Sequence, residues 1–323
     1  MSTQTSATLD KGLGAAAATS KKGSAGSRFG GVHGSKATPY LFLLPYLVLF
    51  VTFVVAPAIF GIYISMFDWD LLLENRPFVG AQNYTNLFNP DSVNFEPFWH
   101  GMRATGIFTV ISVPLLVVIP LALAVLLNRQ FPGRTFFRAV FFAPYVLGIA
   151  VIGVMWRYLL DTQFGAVNGL LKAIGLNAEI GWVTDQPWAW ISLVGVTVWW
   201  TIGLNSIIYL AGLAEISPEQ YEAAELDGAT KWQQFTNITV PSLRPVLVFV
   251  ITITVLASAN MFGQSLLITQ GGPGDSTRTA IIAITELGLG QYRIGEAAAM
   301  SYVLAIFLGL VSLINFWVLR EKE

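Results

Sequence analysis

A polar stretch, Glu222-Ala223-Ala224-Glu225-Leu226-Asp227-Gly228, lies between two long apolar segments and is followed by Ile238-Thr239-Val240-Pro241. Directly before it, Ser217-Pro218-Glu219-Gln220 has the order of an N-cap, a proline at the first helical position and a capping-box partner. Its final glycine suits the left-handed residue that ends a helix, and Thr230-Lys231-Trp232-Gln233 offers a second capping box. We therefore predict two short helices over about residues 217–240, joined by a tight turn.

The composition places these helices on a membrane protein. Of the 323 residues, 54% are hydrophobic and 11% are charged, whereas soluble domains contain about 25% charged residues. Six apolar segments are long enough to cross about 30 Å of hydrocarbon as helices. They span residues 40–67, 104–127, 139–160, 188–213, 245–268 and 294–319. The sequence thus predicts an all-α integral membrane protein with six transmembrane helices.

The basic residues predict the orientation of these segments, because loops rich in Lys and Arg stay in the cytoplasm. With the N-terminus inside, the cytoplasmic side holds twice as many of the 18 Lys and Arg residues as the outer side. Both termini and the Glu222 stretch are therefore expected in the cytoplasm. Residues 1–38 are predicted to be a disordered cytoplasmic tail ahead of a membrane domain over residues 39–323. The first apolar segment is too long for a signal peptide, so we expect it to remain as an anchor.

Several kinds of chemistry lack the residues that they require. The chain has no cysteine, and its two histidines, His33 and His100, lie far apart in sequence. This argues against a metal site or a histidine-based catalytic triad. No G-x-x-x-x-G-K-[ST] phosphate loop occurs, so any ATP-driven step needs a partner protein. We expect no catalytic residue, no metal and no cofactor in this chain.

The polar stretch admits three roles, namely docking a protein, lying on lipid or reading DNA. Its acidic residues outnumber its one cation, Lys231, and anionic lipid or DNA phosphate would repel them. Ala223 and Ala224 have small side chains, so that a partner surface can approach this face of the helix closely. Apolar anchors for such a partner are expected at Tyr221, Trp232 and Phe235. We interpret the stretch as a protein-docking surface and expect no nucleic-acid partner.

The order Glu222-Ala223-Ala224, Gly228, Ile238 and Val240-Pro241 resembles the EAA loop of permease subunits in binding-protein-dependent ABC importers. Val240 stands where this family usually has Leu. Further matches extend the resemblance to the sugar-importer branch and to its maltose-type first permease. They are Phe78-Val79-Gly80, Asn83-Tyr84, Gly133-Arg134, Phe137-Arg138, Pro144-Tyr145, Leu210-Ala211-Gly212-Leu213 and Thr269-Gln270-Gly271-Gly272-Pro273. The resemblance implies the type I ABC importer (MetI-like) permease fold with both termini inside.

In this family the EAA loop is a coupling helix that seats in a cleft of a cytoplasmic ATPase, so that closure of the ATPase dimer moves the membrane helices. The resemblance implies a contact from Glu222 to the ATPase and a turn at Gly228. The implied coupling residues are Glu222, Ala223, Ala224, Asp227, Gly228 and Pro241. The implied partners are a second homologous permease, two ATPase subunits that hold ATP and Mg, and an extracytoplasmic substrate-binding protein. The implied location is a bacterial cytoplasmic membrane.

The apolar segments carry neutral polar and aromatic side chains rather than central acidic ones, which suits a sugar better than ion-coupled transport. Such groups also join transmembrane helices, so a purely structural role stays open. The resemblance implies sugar contacts at Tyr145, Thr197, Trp200, Thr201, Leu204, Thr254, Ser258 and Met261. We expect import of a di- or oligosaccharide. The alternatives are glycerol-3-phosphate or another polar solute of the family, or an ion-coupled carrier or membrane scaffold.

Overall fold

The computed structural model of the chain describes residues 38–176 and 179–319. Within these ranges the regular structure is helical, and β pairing is limited to the isolated bridges Phe67–Phe78 and Asp70–Arg293. The predicted all-α fold class is therefore confirmed. The prediction of a disordered tail over residues 1–38 lies outside the described residues except for Thr38, which begins the first helix.

The helices follow one another along most of the chain. The α-helices are α1 (Thr38–Phe50), α2 (Ala56–Ser65), α3 (Gln82–Asn86), α4 (Phe95–Asn128), α5 (Arg134–Val146), α6 (Ile149–Leu159), α7 (Ala166–Ala173), α8 (Trp188–Ala214), α9 (Pro218–Leu226), α10 (Lys231–Gln234), α11 (Val240–Ser242), α12 (Arg244–Ala259), α13 (Ala280–Thr285) and α14 (Ile294–Leu319). Turns of π-helix lie at Val51–Val55, Phe235–Thr239, Ser265–Thr269 and Glu286–Gly290.

The number of helices that can span a membrane lies between four and six in the described residues. Four helices are long and apolar enough on their own, at Phe42–Ser65, Phe95–Asn128, Trp188–Ala214 and Ile294–Asn315. Two bent pairs raise the number to six if each pair counts as one span. These pairs are α5 with α6, bent by 97°, and Lys231–Ser242 with α12, bent by 69°. The predicted six spans are thus the upper limit of this range.

The third apolar segment, predicted as one helix over residues 139–160, is broken. Leu147 and Gly148 have extended backbones, with ψ of 134° and 150°, between α5 and α6. Pro144 lies in the last turn of α5 and removes a backbone donor there. The carbonyl of Leu147 accepts a hydrogen bond from Trp200 Nε1 at 3.1 Å instead of continuing the helix. A neighbouring helix therefore satisfies the broken backbone, as the membrane interior requires.

The fifth apolar segment, predicted to be helical to residue 268, ends earlier. α12 stops at Ala259, and Asn260 turns its side chain back to donate to the Leu256 carbonyl at 2.7 Å. Helical geometry resumes only beyond residue 262, leading into the π-helical turn at Ser265–Thr269. The short apolar helix α13 that follows was not predicted, because its six residues are too few to span a membrane.

The chain divides into two compact units, one ending at Val54 and one beginning at Val55. In the first unit, the described side chains of α1 are exposed, as suits a helix that faces lipid. In the second, α4 packs along α8 and α12 and against α13, while α5 packs on α8 and α14 on α2. The second unit therefore contains the buried core on which the candidate site is built.

Polar groups near a proline inside α4 join this helix to α8. Pro120 has no N–H to offer the carbonyl of Leu116, four residues earlier. Asn205 Nδ2 of α8 donates to that carbonyl at 2.9 Å, and Ser206 Oγ donates to the Pro120 carbonyl at 3.1 Å. Since these atoms are buried, Asn205 replaces the hydrogen bond that Pro120 cannot donate and that water cannot supply in the membrane.

Close packing of α8 on α5 depends on Gly203. A Cβ atom at this position would lie 2.6 Å from the Phe142 Cα and would also meet the Phe141 carbonyl. We expect Gly203→Ala to lower stability by about 1–3 kcal/mol because the two backbones must separate. Gly195→Ala is the matched control on the same helix, since its Cβ would meet nothing within 4 Å. Thermal unfolding in detergent checks this, and equal melting temperatures for the two variants would contradict it.

Candidate functional site

The coupling loop, residues 217–241, begins with α9 as predicted, but its first cap differs. Ser217 is the N-cap residue with an extended backbone, and Pro218 follows at the first helical position. The predicted capping box with Gln220 is wrong, because the Ser217 side chain makes no cap hydrogen bond to the backbone. Its Oγ donates to Glu219 Oε2 at 3.2 Å instead. The hydroxyl thus donates to a carboxylate in the first turn and accepts no backbone N–H there.

The second cap and the turn between the helices are formed as predicted. Thr230 Oγ1 accepts from the Gln233 amide at 3.3 Å, and Gln233 Oε1 accepts from the Thr230 amide at 2.8 Å. Gly228 has a φ of +78°, and its N–H donates to the Glu225 carbonyl at 3.1 Å. The capping box and the left-handed glycine are therefore confirmed. The roles in coupling stay predictions.

The predicted coupling residues lie at the surface of the loop. Glu222, Ala223, Asp227 and Gly228 are exposed, Ala224 is half-buried, and Pro241 is exposed in α11. Two large apolar side chains also project outward, with Leu226 90% exposed and Trp232 71% exposed. Sequence reasoning missed Leu226, although its place beside Gly228 at the end of α9 marks it as an apolar residue on a polar helix. Such outward apolar groups suit a protein partner.

One expected anchor serves the loop itself. Tyr221 is half-buried, and its hydroxyl forms a hydrogen bond with Thr239 Oγ1 at 2.9 Å. It thereby ties α9 to the π-helical turn after α10. Trp232 lies against Phe235, with ring centroids 5.6 Å apart, and keeps most of its surface exposed. The exposed apolar surface of the loop is therefore formed by Leu226 and Trp232 rather than by Tyr221.

A cavity of about 300 Å³ collects seven of the eight side chains predicted to contact sugar. Three helices, α5, α8 and α12, supply them, and α4 closes one side. The lining residues are Phe108, Leu116, Tyr145, Thr197, Trp200, Thr201, Leu204, Asn205, Ile253, Thr254, Ala257, Ser258 and Gln264. None of these side chains is charged. Residues remote in sequence thus share one neutral cavity, and their contact with substrate stays a prediction.

Met261 is the exception, although the helix predicted over residues 245–268 would have held it together with Thr254 and Ser258. It lies beyond the end of α12, in the break before the next helical turn. Its side chain is buried, and its carbonyl accepts from Thr279 Oγ1 at 2.8 Å. Met261 therefore packs in the core beside the cavity and does not line it.

Two aromatic rings form one wall of the cavity. The ring centroids of Tyr145 and Trp200 are 6.0 Å apart and tilted by 32°. The hydrogen bond from the Trp200 indole to the Leu147 carbonyl fixes the orientation of that ring. Aromatic faces bury apolar surface without strict directionality, so this wall suits the apolar face of a sugar ring.

The hydroxyl groups of the cavity differ in what they can still bind. Thr197 and Thr201 donate to carbonyls four residues earlier, at 2.7 and 2.8 Å, and retain only acceptor capacity. Ser258 Oγ accepts from Ser112 Oγ at 3.1 Å. Thr254 Oγ1 is buried and has no hydrogen-bond partner. Thr254 is therefore the buried threonine of the cavity whose hydroxyl has both donor and acceptor capacity uncommitted, and a buried polar group in that state is costly.

Six cavity residues were not among the contacts that the resemblance implied. Four of them are apolar, Phe108 and Leu116 of α4 and Ile253 and Ala257 of α12, while Asn205 and Gln264 are polar. The side-chain N–H of Asn205 is committed to the Leu116 carbonyl. Gln264 has no such commitment in the described residues, so its amide is a further group that can meet a ligand.

The buried acid of the membrane helices lies away from this cavity. Glu296, at the start of α14, is 7% exposed and forms an ion pair with Arg293 three residues earlier. Neither residue lines the cavity. The pair joins two residues at the start of α14. The cavity therefore has no acidic or basic side chain that could couple transport to protons or sodium.

Comparisons with known proteins agree with this architecture. The family described as binding-protein-dependent transport system inner membrane component matches residues 93–320. The probable ABC transporter permease protein YurN of Bacillus subtilis (strain 168) is 32% identical over 287 residues, covering 88% of this chain and 96% of YurN. The lactose transport system permease protein LacF of Rhizobium radiobacter is 31% identical over 291 residues, covering 88% of this chain and 94% of LacF.

A solved structure has the same fold. It is a bacterial ABC transporter involved in the import of the acidic polysaccharide alginate, and one of its chains superposes with a TM-score of 0.74 at 25% identity. The match covers 87% of this chain and 94% of that one. The family match and the solved structure agree with the helical fold. This chain belongs to the family of inner membrane components of binding-protein-dependent transport systems, as an ABC transporter permease.

Proposed function

We propose that this chain is the transmembrane subunit of an ATP-driven importer that carries a neutral di- or oligosaccharide across a bacterial cytoplasmic membrane. An extracytoplasmic binding protein delivers the sugar, and alternating access moves it past the cavity between α5, α8 and α12. The observation that carries the proposal is the cavity itself. Its Tyr145–Trp200 wall and uncommitted Thr254 hydroxyl supply the stacking face and the hydrogen bonding that a sugar requires.

The uncharged lining of the cavity favours a neutral sugar over glycerol-3-phosphate. A phosphate needs cationic or multiple donor groups, since an unpaired charge in a dry cavity carries a large desolvation penalty. The cavity lining contains neither Arg nor Lys. The related LacF is named for lactose, a neutral disaccharide, whereas the solved relative imports an acidic polysaccharide. This chain resembles both in sequence, and its cavity supports the neutral class.

Energy enters through the coupling loop in this proposal. The exposed Leu226 and Trp232 and the turn at Gly228 form a rigid, outward face that suits the cleft of a cytoplasmic ATPase. The complete unit contains a second homologous permease and two ATPase subunits, which hold the ATP and Mg. The chain itself breaks no substrate bond, so it is a permease subunit rather than an enzyme.

Reconstituted transport tests the proposal. The chain is placed in vesicles together with a homologous permease, an ATPase and a binding protein from the same organism. We expect uptake of labelled neutral oligosaccharides that requires ATP and the binding protein, with little uptake of glycerol-3-phosphate. Uptake that needs an ion gradient and no ATP would point instead to a secondary carrier. Preferred uptake of glycerol-3-phosphate would overturn the neutral substrate class alone.

A further inference from the structure

A second cavity lies against the coupling loop, and neither Leu226 nor Trp232 lines it. Its volume is about 510 Å³, and it is bounded by the ends of α4 and α8 and by the loop. Both charged side chains in its lining are cations, Arg129 and Lys231. Neutral polar groups and apolar groups complete the lining, among them Asn128, Gln234, Val125 and Phe235. The cavity thus combines concentrated positive charge with an apolar wall.

The side chain of Arg129 has no structural task that the described residues reveal. It follows the last residue of α4 and is exposed, and it forms no ion pair within residues 38–176 and 179–319. Capping the negative end of α4 would explain a cation here. Arg138 Nη2 already donates to the Leu127 carbonyl at 2.9 Å in that last turn. The Arg129 guanidinium therefore remains able to bind an anion.

Lys231 is held only loosely by its present partners. Its Nζ lies 3.3 Å from Glu225 Oε2, and the two side chains are 71% and 68% exposed. Its second contact, to Gln234 Oε1, is long at 3.4 Å. Exposed ion pairs contribute little to stability because water and salt screen them. An anion in the cavity can therefore replace Glu225 as the partner of Lys231 at small cost.

We propose that this cavity binds a phosphate-bearing anion, with Arg129 and Lys231 on the phosphate and Val125 and Phe235 against the apolar part of the ligand. Basic pockets at the cytoplasmic ends of membrane helices recognise anionic lipid headgroups, and a soluble phosphate ester offers the same chemistry. A bound anion ties α10 to the end of α4 and so restrains the coupling loop. Which side of the membrane the anion comes from depends on the proposed function, but the binding of the anion to this cavity does not.

Native mass spectrometry of the full-length chain, purified with the subunits that copurify with it, tests the site. One arm adds phosphatidylglycerol or phosphatidylcholine, and a second titrates glucose 6-phosphate. We expect phosphatidylglycerol or glucose 6-phosphate to bind at least about tenfold more weakly to the double variant Arg129→Gln, Lys231→Gln, because two charge-assisted contacts are lost. The charge-preserving variant Arg129→Lys, Lys231→Arg should keep most of the binding. It also separates loss of the site from loss of folding.

Arg134→Gln is the matched control, since Arg134 is a neighbouring cation that lines a different cavity. Selective binding of phosphatidylglycerol that only the double variant loses identifies a lipid source. The same pattern with glucose 6-phosphate identifies a soluble one. Equal binding of both lipids without binding of glucose 6-phosphate overturns the site, as does an equal loss in Arg134→Gln. Neither arm measures uptake, so these outcomes are independent of the proposed transport function.

Discussion

Replacing Gly228 with proline is expected to abolish ATP-dependent uptake while leaving the membrane helices folded. The native φ of +78° lies far from the value of about −65° that a proline ring imposes. Proline also removes the N–H that donates to the Glu225 carbonyl, and it disturbs the adjacent bond from the Ala229 amide to the Ala224 carbonyl. The end of α9 then loses its fixed direction. Uptake into vesicles and copurification of the ATPase measure the loss.

The chain offers a matched control for this substitution. Gly175 has a φ of +84° and, like Gly228, no atom within 4 Å of an added Cβ, and its N–H also donates one backbone hydrogen bond. It lies on a loop predicted to face the other side of the membrane. Gly175→Pro should therefore damage its own loop while retaining ATPase binding and most uptake. If Gly228→Pro kept both ATPase association and uptake, the coupling role of this loop would be wrong.

Gly228→Ala separates the effect of the positive φ from the effect of losing the N–H hydrogen bond. Gly228→Ala retains the N–H, and the space around the position is open. An L-residue at positive φ costs about 1–2 kcal/mol, so the turn should persist in a fraction of molecules. Uptake is expected to fall between those of the wild type and Gly228→Pro. This order follows from the backbone alone and needs no contact from the side chain.

Local chemistry explains why the coupling loop was largely predictable from sequence. The Thr230–Gln233 capping box and the glycine turn depend on atoms within a few residues of each other, so their sequence order is sufficient. The box at Ser217 failed within the same turn, because the serine hydroxyl donates to Glu219 and accepts no backbone N–H. Both side chains were visible in the sequence, but the orientation of the hydroxyl was not.

The breaks in the membrane helices could not be predicted from apolar runs. Hydropathy treats residues 139–160 as one span, yet α5 ends after Pro144 because the indole of Trp200, far away in sequence, satisfies the freed Leu147 carbonyl. Met261 leaves the helix predicted over residues 245–268 for a similar reason, since Thr279 donates to its carbonyl. In both cases a tertiary donor makes a non-helical backbone tolerable inside the membrane.

The sequence alone did not predict the cavity; the resemblance to the permease family implied most of the residues that line it. Periodicity can relate Thr254 to Ser258 on one helix, but it cannot bring Tyr145 of α5 beside Trp200 of α8. The contribution of α4 was missed because Phe108 and Leu116 resemble ordinary lipid-facing residues in sequence. Asn205 and Thr254 are both polar residues within apolar segments, so the sequence does not show which side chain is free to bind a ligand. The structure does, because Asn205 donates to the Leu116 carbonyl and the Thr254 hydroxyl has no hydrogen-bond partner.

Thr254→Val is expected to lower sugar transport without lowering stability. Valine keeps the shape of threonine and removes a buried hydroxyl that has no partner in the structure. Deleting an unpaired polar group is neutral or stabilising for folding, whereas loss of one hydrogen bond to a sugar costs about 1–1.4 kcal/mol. The maximum uptake rate should therefore fall about five- to tenfold. Thermal unfolding in detergent should give an unchanged or higher melting temperature.

Thr252→Val, on the same helix, should give the reverse pattern. Thr252 Oγ1 donates to the Val248 carbonyl at 2.8 Å and accepts from Asn315 Nδ2 at 2.9 Å, so its hydroxyl joins α12 to α14. Its removal should lower stability by about 1 kcal/mol and leave the uptake rate per folded molecule unchanged. Thr254→Val should therefore lower uptake but not stability, whereas Thr252→Val should lower stability but not uptake. Unchanged uptake by Thr254→Val would remove Thr254 from the substrate path, since nothing else in the structure requires its hydroxyl.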